Sequence, residues 1–439
     1  MSHPAFVRNL GVCAIFAAIS ALSSEAVIAQ TPTPPPGYFD IPAGFDFPAQ
    51  KAVLEQFASS GNISAERTHV WNVFAGMTQP TPDGQYRIFE TWYDENETFA
   101  PTTSVASAAL RKFSPHFQVP RQFLAPRGFV APTVAGESAL SFVLYNFAAF
   151  DHIRRNALYQ QATLNTLLNS GTQNPSFPQD RDVPPFPANA VSLKTVWWPI
   201  AKDKITAMPI WDPDQNPPRS TGNPFTTWVR YVAVDPLHTN LPPDTTADVV
   251  YNHQTKHVHV VGSDKIYLRT LDAQAAAGVN SNGVLAQVAQ AALGRPLQAG
   301  DFAALVTTHL TTKEIDNWVW ATFWWHDQPD QGPFASDRPA ILTGVWRNYL
   351  MNTSYDPLLP LESDGTPHTA FNPWLEARFP DGGHGSGVVS NCMNCHNRAS
   401  YTNINFLPVY RGNPDPQDPA FAAGRLRTDF LWSIPDQAQ

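Results

Sequence analysis

The sequence is poor in cysteine, with three in 439 residues. One of them, Cys13, lies in an apolar run from Leu10 to Leu22 near the start of the chain. A framework of several disulfides is therefore excluded, since only Cys392 and Cys395 remain for the rest of the chain. Runs of Lys or Arg are also lacking, and the formal net charge is −9. This balance argues against nucleic acid or an anionic membrane surface as a partner.

Long apolar segments are lacking as well. The run from Leu10 to Leu22 is shorter than the about 20 residues that a membrane span needs. Arg8 precedes this run, and the small-residue end Val27-Ile28-Ala29 follows it. This arrangement predicts a secretory signal peptide over residues 1–29, with cleavage after Ala29. We therefore expect a periplasmic chain without a stable membrane anchor.

Proline, by contrast, is abundant, with 42 residues, while charged residues make up only 15%. So much proline predicts long irregular connections between short regular elements. The 13 Trp and 27 Phe residues still supply ample core material. We predict a proline-rich linker over residues 30–46 and one large domain over residues 47–439.

The hydrophobic periodicity divides this domain into three parts. Residues 47–171 follow a helical period and predict helices over 47–59 and 64–77 and from Ser138 to about Gly171. Residues 190–350 change to a period of two, which predicts an antiparallel β-rich part. Residues 370–439 are irregular and proline-rich. This order of helices, strands and an irregular segment predicts an α+β fold.

Two predictions for the central part, both of β-hairpins, are specific enough to test. HVHVVGSDKIYLRTL predicts a hairpin that turns at residues 262–264, and the strands 302–312 and 318–326 should form a second one. His257 and His259 share a face of the first hairpin, so a copper or zinc site is conceivable there. Surface histidines on an edge strand are the favoured interpretation.

Cys392 and Cys395 are followed at once by His396 in the string SNCMNCHNRAS. Two cysteines one helical turn apart present both sulfurs to one edge of a haem, and the next imidazole points at the iron. The motif predicts one covalently attached haem c with His396 as the proximal iron ligand. A structural zinc site would need a second pair of cysteines, which the sequence lacks. A thioredoxin-like redox pair or a plain disulfide would also use two cysteines at this spacing.

The motif does not fix the ligand on the distal side of the iron. The tail from Asn397 to Gln439 contains neither Met nor His, so the ligand comes from upstream, from a tail tyrosine, or is absent. His309 and His384 are the first candidates, and the glycines of DGGHGSG would let the backbone at His384 approach a ligand closely. Weaker candidates are His326, Met351, His368, Tyr401 and Tyr410.

Outside the haem motif, candidate functional side chains are most concentrated in residues 308–330, THLTTKEIDNWVWATFWWHDQPD. In a hairpin, His309 and Lys313 would share one face of the first strand. An aromatic wall on the second strand would exclude water from a haem, although an ordinary sheet core explains the tryptophans equally well. Its expected members on one face are Trp318, Trp320, Trp324 and His326.

Further residues form an ordered pattern ahead of the haem motif: Lys194 and Trp197, then His309, Lys313, Trp318, Trp320, Thr322 and Phe323, then Asn372 and Glu376. Together with Cys392, Cys395 and His396, they resemble large bacterial proteins of the cytochrome c family over roughly residues 140–400. One departure is Trp324-Trp325, where that pattern tends to show Glu-His. The resemblance implies haem binding and redox chemistry, and it implies no particular substrate.

Two functions follow as expectations. The first is electron transfer to a redox partner protein. The alternative is a peroxidase- or oxygenase-like haem enzyme with an open distal position and a small-molecule substrate, in which His309 acts as acid/base and Lys313 positions charge. The length of the chain motivates this alternative, since an electron carrier needs only one ordinary domain of about 100 residues. A haem-based sensor ranks last, because no output segment is visible.

Overall fold

The computed structural model describes Met1 and residues 34–101, 113, 115–120, 138–212, 225–361, 365, 368–377, 391–401 and 424–439. Residues Pro34–Gln439 form one compact unit. The predicted α+β class is confirmed. The expected signal peptide beyond Met1, His384 and Tyr410 lie outside the described residues. No described helix is long and apolar enough to cross a membrane.

The helices of the described residues are short and divide equally between the two halves of the chain. Asn62 caps the longest one, its side chain accepting a hydrogen bond from the Ala65 amide. The helices are α1 (Lys51–Ser59), α2 (Ile63–Met77), α3 (Glu95–Phe99), α4 (Phe147–Arg155), α5 (Gln161–Ser170), α6 (Ala273–Ser281), α7 (Gly283–Leu293), α8 (Pro373–Glu376), α9 (Cys392–His396) and α10 (Ser433–Gln437).

The strands of the described residues build three sheets. They are β1 (Tyr93–Asp94), β2 (Leu140–Tyr145), β3 (Thr172–Gln173), β4 (Arg181–Asp182), β5 (Val191–Ile200), β6 (Thr206–Ile210), β7 (Arg230–Asp235), β8 (Thr246–Tyr251), β9 (Gln254–Gly262), β10 (Leu268–Thr270), β11 (Phe302–Thr312), β12 (Val319–Trp325), β13 (Tyr349–Ser354), β14 (Ser400–Tyr401) and β15 (Leu426–Arg427). The main sheet has the order β1-β2-β5-β11-β12-β13, with β10 pairing β11. The other two have the orders β14-β15-β4-β3 and β6-β7-β9-β8.

The predicted helix from Ser138 to Gly171 is wrong in its first part. Leu140–Tyr145 is the strand β2, which pairs β5, and Asn146 then caps α4 by accepting a hydrogen bond from the Ala149 amide. Almost every side chain of β2 is buried. A strand that is apolar on both faces loses its alternation, so its pattern also fits a helix. The predicted helices 47–59 and 64–77 are confirmed as α1 and α2.

The central part differs from the prediction in two ways. β9 pairs β7 and β8, whereas β10 pairs β11 in the main sheet, so the expected hairpin at 262–264 does not form. The pair β7–β9 is parallel, so this part is not wholly antiparallel. The hairpin of β11 and β12 is confirmed, with His309 directly opposite Thr322.

The main sheet has two faces with different neighbours. Directly opposite residues of paired strands share a face, so Lys194, His309, Thr322 and Asn352 form a row across β5, β11, β12 and β13. The C-terminal residues that carry the haem motif lie against this face, where His396 contacts His309 and Trp320. We call it the haem-motif face. On the other face, the Phe323 ring stacks on Phe74 of α2 with centroids 4.1 Å apart.

Candidate haem-binding site

The motif cysteines lie on the short helix α9. Asn391 caps it by accepting a hydrogen bond from the Asn394 amide at 3.2 Å, and the Asn394 side chain donates to the Pro357 carbonyl at 2.9 Å. These contacts tie α9 to the chain that leaves β13. Cys392 and Cys395 are both free thiols. Two free sulfurs one helical turn apart are what covalent haem attachment requires, and they are not joined in a disulfide.

His396 has one ring nitrogen committed and one available. Its Nδ1 donates a hydrogen bond to the Phe430 carbonyl at 2.8 Å. This contact fixes the ring orientation and leaves Nε2 as the acceptor nitrogen. Burial lowers the pKa of His396 to about 4, so the ring is neutral at pH 7. A neutral imidazole whose other nitrogen donates to a carbonyl is the usual form of a metal-ligating histidine.

His309 lies beside His396, with ring centroids 5.6 Å apart and planes inclined by 26°. Its side chain is buried, and neither Nδ1 nor Nε2 has a hydrogen-bond partner. Burial, followed by the influence of His396 and Lys194, lowers its pKa well below the ordinary value. A buried polar group without a partner costs about 1–3 kcal/mol. A bound iron would satisfy one of these orphan nitrogens.

The two rings are close enough to each other for both to bind one metal ion, since each metal–nitrogen bond is about 2 Å long. Cys392, Cys395, His396 and His309 therefore fit a haem c as a donor set. His396 would be the proximal ligand and His309 the distal one.

Trp320 forms an apolar wall at this pair of histidines. Its ring centroid lies 4.2 Å from that of His396 and 5.5 Å from that of His309. Its Nε1 donates to the Asn317 carbonyl at 2.9 Å, so no buried donor is left open towards the histidines. Such a wall keeps water away from a bound cofactor.

Two ionisable side chains from the family pattern also reach this site. Glu376 is partly buried, and desolvation raises its pKa to about 7, although the Asn372 amide and Lys194 act in the opposite direction. Its carboxylate accepts a hydrogen bond from that amide at 2.6 Å, and the Asn372 side chain donates to Thr307 of β11 at 2.8 Å. Glu376 also adds to the burial effect that raises the pKa of both motif thiols. The structure therefore gathers Lys194, Asn372 and Glu376 around the haem motif.

Lys313 has a different environment from the one predicted. It follows the end of β11, and its ammonium group donates to Asp429 at 2.6 Å and to the Asp316 carbonyl at 2.7 Å. Its charge is thus engaged at the hairpin turn by Asp429. Trp318 likewise precedes β12, with a φ of 60°. Only Trp320 and Trp324 of the expected aromatic face lie within β12 itself.

His326 lies beyond the other end of β12, away from His396. Its Nδ1 accepts a hydrogen bond from the Gln328 amide at 3.0 Å, and its Nε2 lies 3.2 Å from the Arg230 guanidinium. His326 lines a cavity of about 930 Å³ together with His257 and His259. Among the described residues, no group of three or more His, Cys, Asp or Glu side chains is arranged to hold a metal ion.

The weaker distal candidates have other neighbours. Met351 pairs with Phe323 and so lies on the face of the sheet opposite His309. The Tyr401 hydroxyl donates to the Asn165 side chain at 3.1 Å, and His368 lies 2.9 Å from the Asn352 side-chain oxygen. These contacts leave His309 as the described residue that meets His396.

Sequence reasoning missed the group that orients His396. That group is the Phe430 backbone carbonyl, and a carbonyl is present in every residue, so no residue type signals its role. No family model, curated protein or solved structure matches this chain.

Proposed function

We propose that the chain is a monohaem c-type cytochrome that transfers electrons, in which His396 and His309 would both bind the iron. The observation that supports this most is the pair of imidazoles of buried His309 and partly buried His396, with ring centroids 5.6 Å apart, next to two free cysteines. The resemblance to the cytochrome c family adds to it. Both histidines are kept neutral by burial, which is the form that binds iron.

The chain's residues have separate tasks in this proposal. A bound haem supplies a one-electron ferric/ferrous couple. Cys392 and Cys395 would hold it by thioether bonds, His396 and His309 would bind its iron, and Trp320 would exclude water. With both histidines bound to the iron, a small molecule would have no place to bind there. This coordination favours exchange of electrons with a redox partner protein, which we place in the periplasm on account of the N-terminal signal pattern.

A haem enzyme is the second candidate. The observation that favours it is the presence of Lys194 and Glu376 at a buried site, where they influence His309, His396 and the cysteines. If His309 were not bonded to iron, it could move a proton to a small molecule at the distal position, with Lys194 and Glu376 beside it.

Visible spectroscopy of the purified, exported protein tests the proposal. We expect a covalent haem with a six-coordinate low-spin spectrum that carbon monoxide does not change. His309→Ala should convert the spectrum to high-spin and allow carbon monoxide to bind. His326→Ala is the matched control and should leave the spectrum unchanged, since His326 is held by Arg230 and Gln328 elsewhere.

The other outcomes are equally informative. A high-spin wild-type protein that binds carbon monoxide would favour the enzyme. A colourless protein whose two cysteines are joined to each other would contradict both candidates.

A further inference from the structure

We propose that Lys313 and Asp429 are positioning residues for His396 and thereby set the reduction potential of the haem. They hold the backbone turn whose carbonyl accepts the hydrogen bond from the His396 ring. This inference rests on the proposed function, and it gives Lys313 a role on the proximal side.

The turn that contacts His396 has an unusual backbone. Asp429 and Phe430 both have positive φ, at 47° and 67°, and neither is glycine. L-residues rarely adopt this region, and for a bulky residue such as Phe it persists only where the surroundings hold it. With the backbone in this conformation, the Phe430 carbonyl accepts a hydrogen bond from His396 Nδ1 at 2.8 Å.

The Asp429 side chain is what holds the turn. Its Oδ1 accepts hydrogen bonds from Lys313 Nζ at 2.6 Å and Trp318 Nε1 at 3.1 Å. Its Oδ2 accepts from the Phe186 amide at 3.2 Å. The Lys313 and Asp429 side chains are only 10% and 12% exposed, so water screens their ion pair weakly. Three donors from two other parts of the chain thus fix one carboxylate next to Phe430.

The same hairpin serves both histidines. His309 lies on β11, and Lys313 and Trp318 lie in the turn that joins β11 to β12. A proximal imidazole that donates a strong Nδ1–H bond becomes a better electron donor to the metal. It therefore stabilises ferric over ferrous iron and lowers the reduction potential. Releasing the turn should weaken this bond and raise the potential.

The test is a set of variants measured by spectroelectrochemistry on the haem-loaded protein. Lys313→Met and Asp429→Asn should shift the reduction potential to a more positive value while the low-spin spectrum persists. Trp318→Phe removes one donor and keeps a ring, so it should give a smaller shift in the same direction. Its reduction potential also tests the inference if the first two variants fail to fold. Lys313→Arg keeps the cation and should restore a potential near that of the wild type.

Arg295→Met is the matched control. Arg295 donates to the buried Asp301 at 2.7 Å, next to the opposite end of β11. Removing this cation should cost stability without moving the potential. If the Lys313 and Asp429 variants carry haem and keep the wild-type potential, or move it no further than Arg295→Met, the inference is wrong and the proposed function stands. A colourless wild-type protein would overturn both.

Discussion

His309 shows how a single side chain can mark a binding site. A buried histidine normally has its ring nitrogens satisfied by nearby groups, as His69 of α2 does with Tyr355 and Glu314. His309 of β11 is also buried and has no such partner. Binding of a metal to one of these nitrogens would recover part of the free energy lost by leaving two polar atoms bare. This contrast with His69 is the reason why we propose His309 as an iron ligand.

Glu66 is a buried carboxyl away from the haem motif, and it predicts a pH dependence of stability. Burial, with a smaller effect of Asp356, raises its pKa from 4.5 to about 7. The native state therefore binds the proton more tightly than the unfolded state does. The stabilisation is fully present below pH 4.5 and is lost as the pH rises through 7. Glu66→Gln should reduce the fall in unfolding free energy between pH 5 and pH 8 by roughly 2 to 3 kcal/mol.

Chemical denaturation of the wild type and Glu66→Gln at both pH values measures this difference. Glu55→Gln is the control, because the Glu55 side chain is 52% exposed on α1 and should not change the fall. Equal pH dependence in the wild type and Glu66→Gln would show that this carboxyl is not the source.

At the scale of elements, the sequence pattern predicted the β11–β12 hairpin correctly and predicted a helix where β2 lies. The hairpin has a clear turn between two long runs, so its presence was predictable from the pattern. In β2 nearly all side chains are buried, and the period that separates a strand from a helix is lost. The haem motif itself was visible, since its chemistry depends on residue types. The turn at Asp429 and Phe430 was not, because its role depends on a backbone atom and on contacts far along the chain.

The two faces of the main sheet predict separable effects of mutation. Phe74 of α2 stacks on Phe323, on the face opposite the haem motif. Phe74→Ala should lower the free energy of unfolding by about 3–5 kcal/mol, because it leaves a cavity in a packed core. The visible spectrum and the reduction potential should stay those of the wild type.

Trp320→Ala is the contrasting variant on the other face. It removes the ring that lies 4.2 Å from His396, so it should change the spectrum or the potential as well as stability. Denaturation curves and spectra of both variants check this. A spectral change in Phe74→Ala of the same size as in Trp320→Ala would mean that the faces are not independent.

At the scale of the whole molecule, the C-terminal residues that we call the haem segment (370–439) contribute to the same hydrophobic core as the sheets. One continuous hydrophobic cluster includes residues from Tyr38 to Ala438. The strand β15 pairs in parallel with β4, some 245 residues earlier in the chain (426 minus 181). The last residue, Gln439, exchanges backbone hydrogen bonds with Tyr159 and Gln161. Loss of the contact between His309 and the haem motif and loss of the sheets should therefore occur together.

This expectation can be tested by following unfolding with two probes. Guanidinium denaturation monitored by the haem absorbance and by far-ultraviolet circular dichroism should give the same midpoint, since two-state unfolding makes all probes coincide. In the proposed coordination, the haem absorbance would report whether His309 of β11 and His396 of α9 are both held at the iron, and circular dichroism reports the sheets and helices as a whole. If the haem signal changed at a clearly lower denaturant concentration, the C-terminal segment would detach as a unit of its own. The hydrogen bonds that fasten β15 and Gln439 would then be too weak to couple the haem segment to the main sheet.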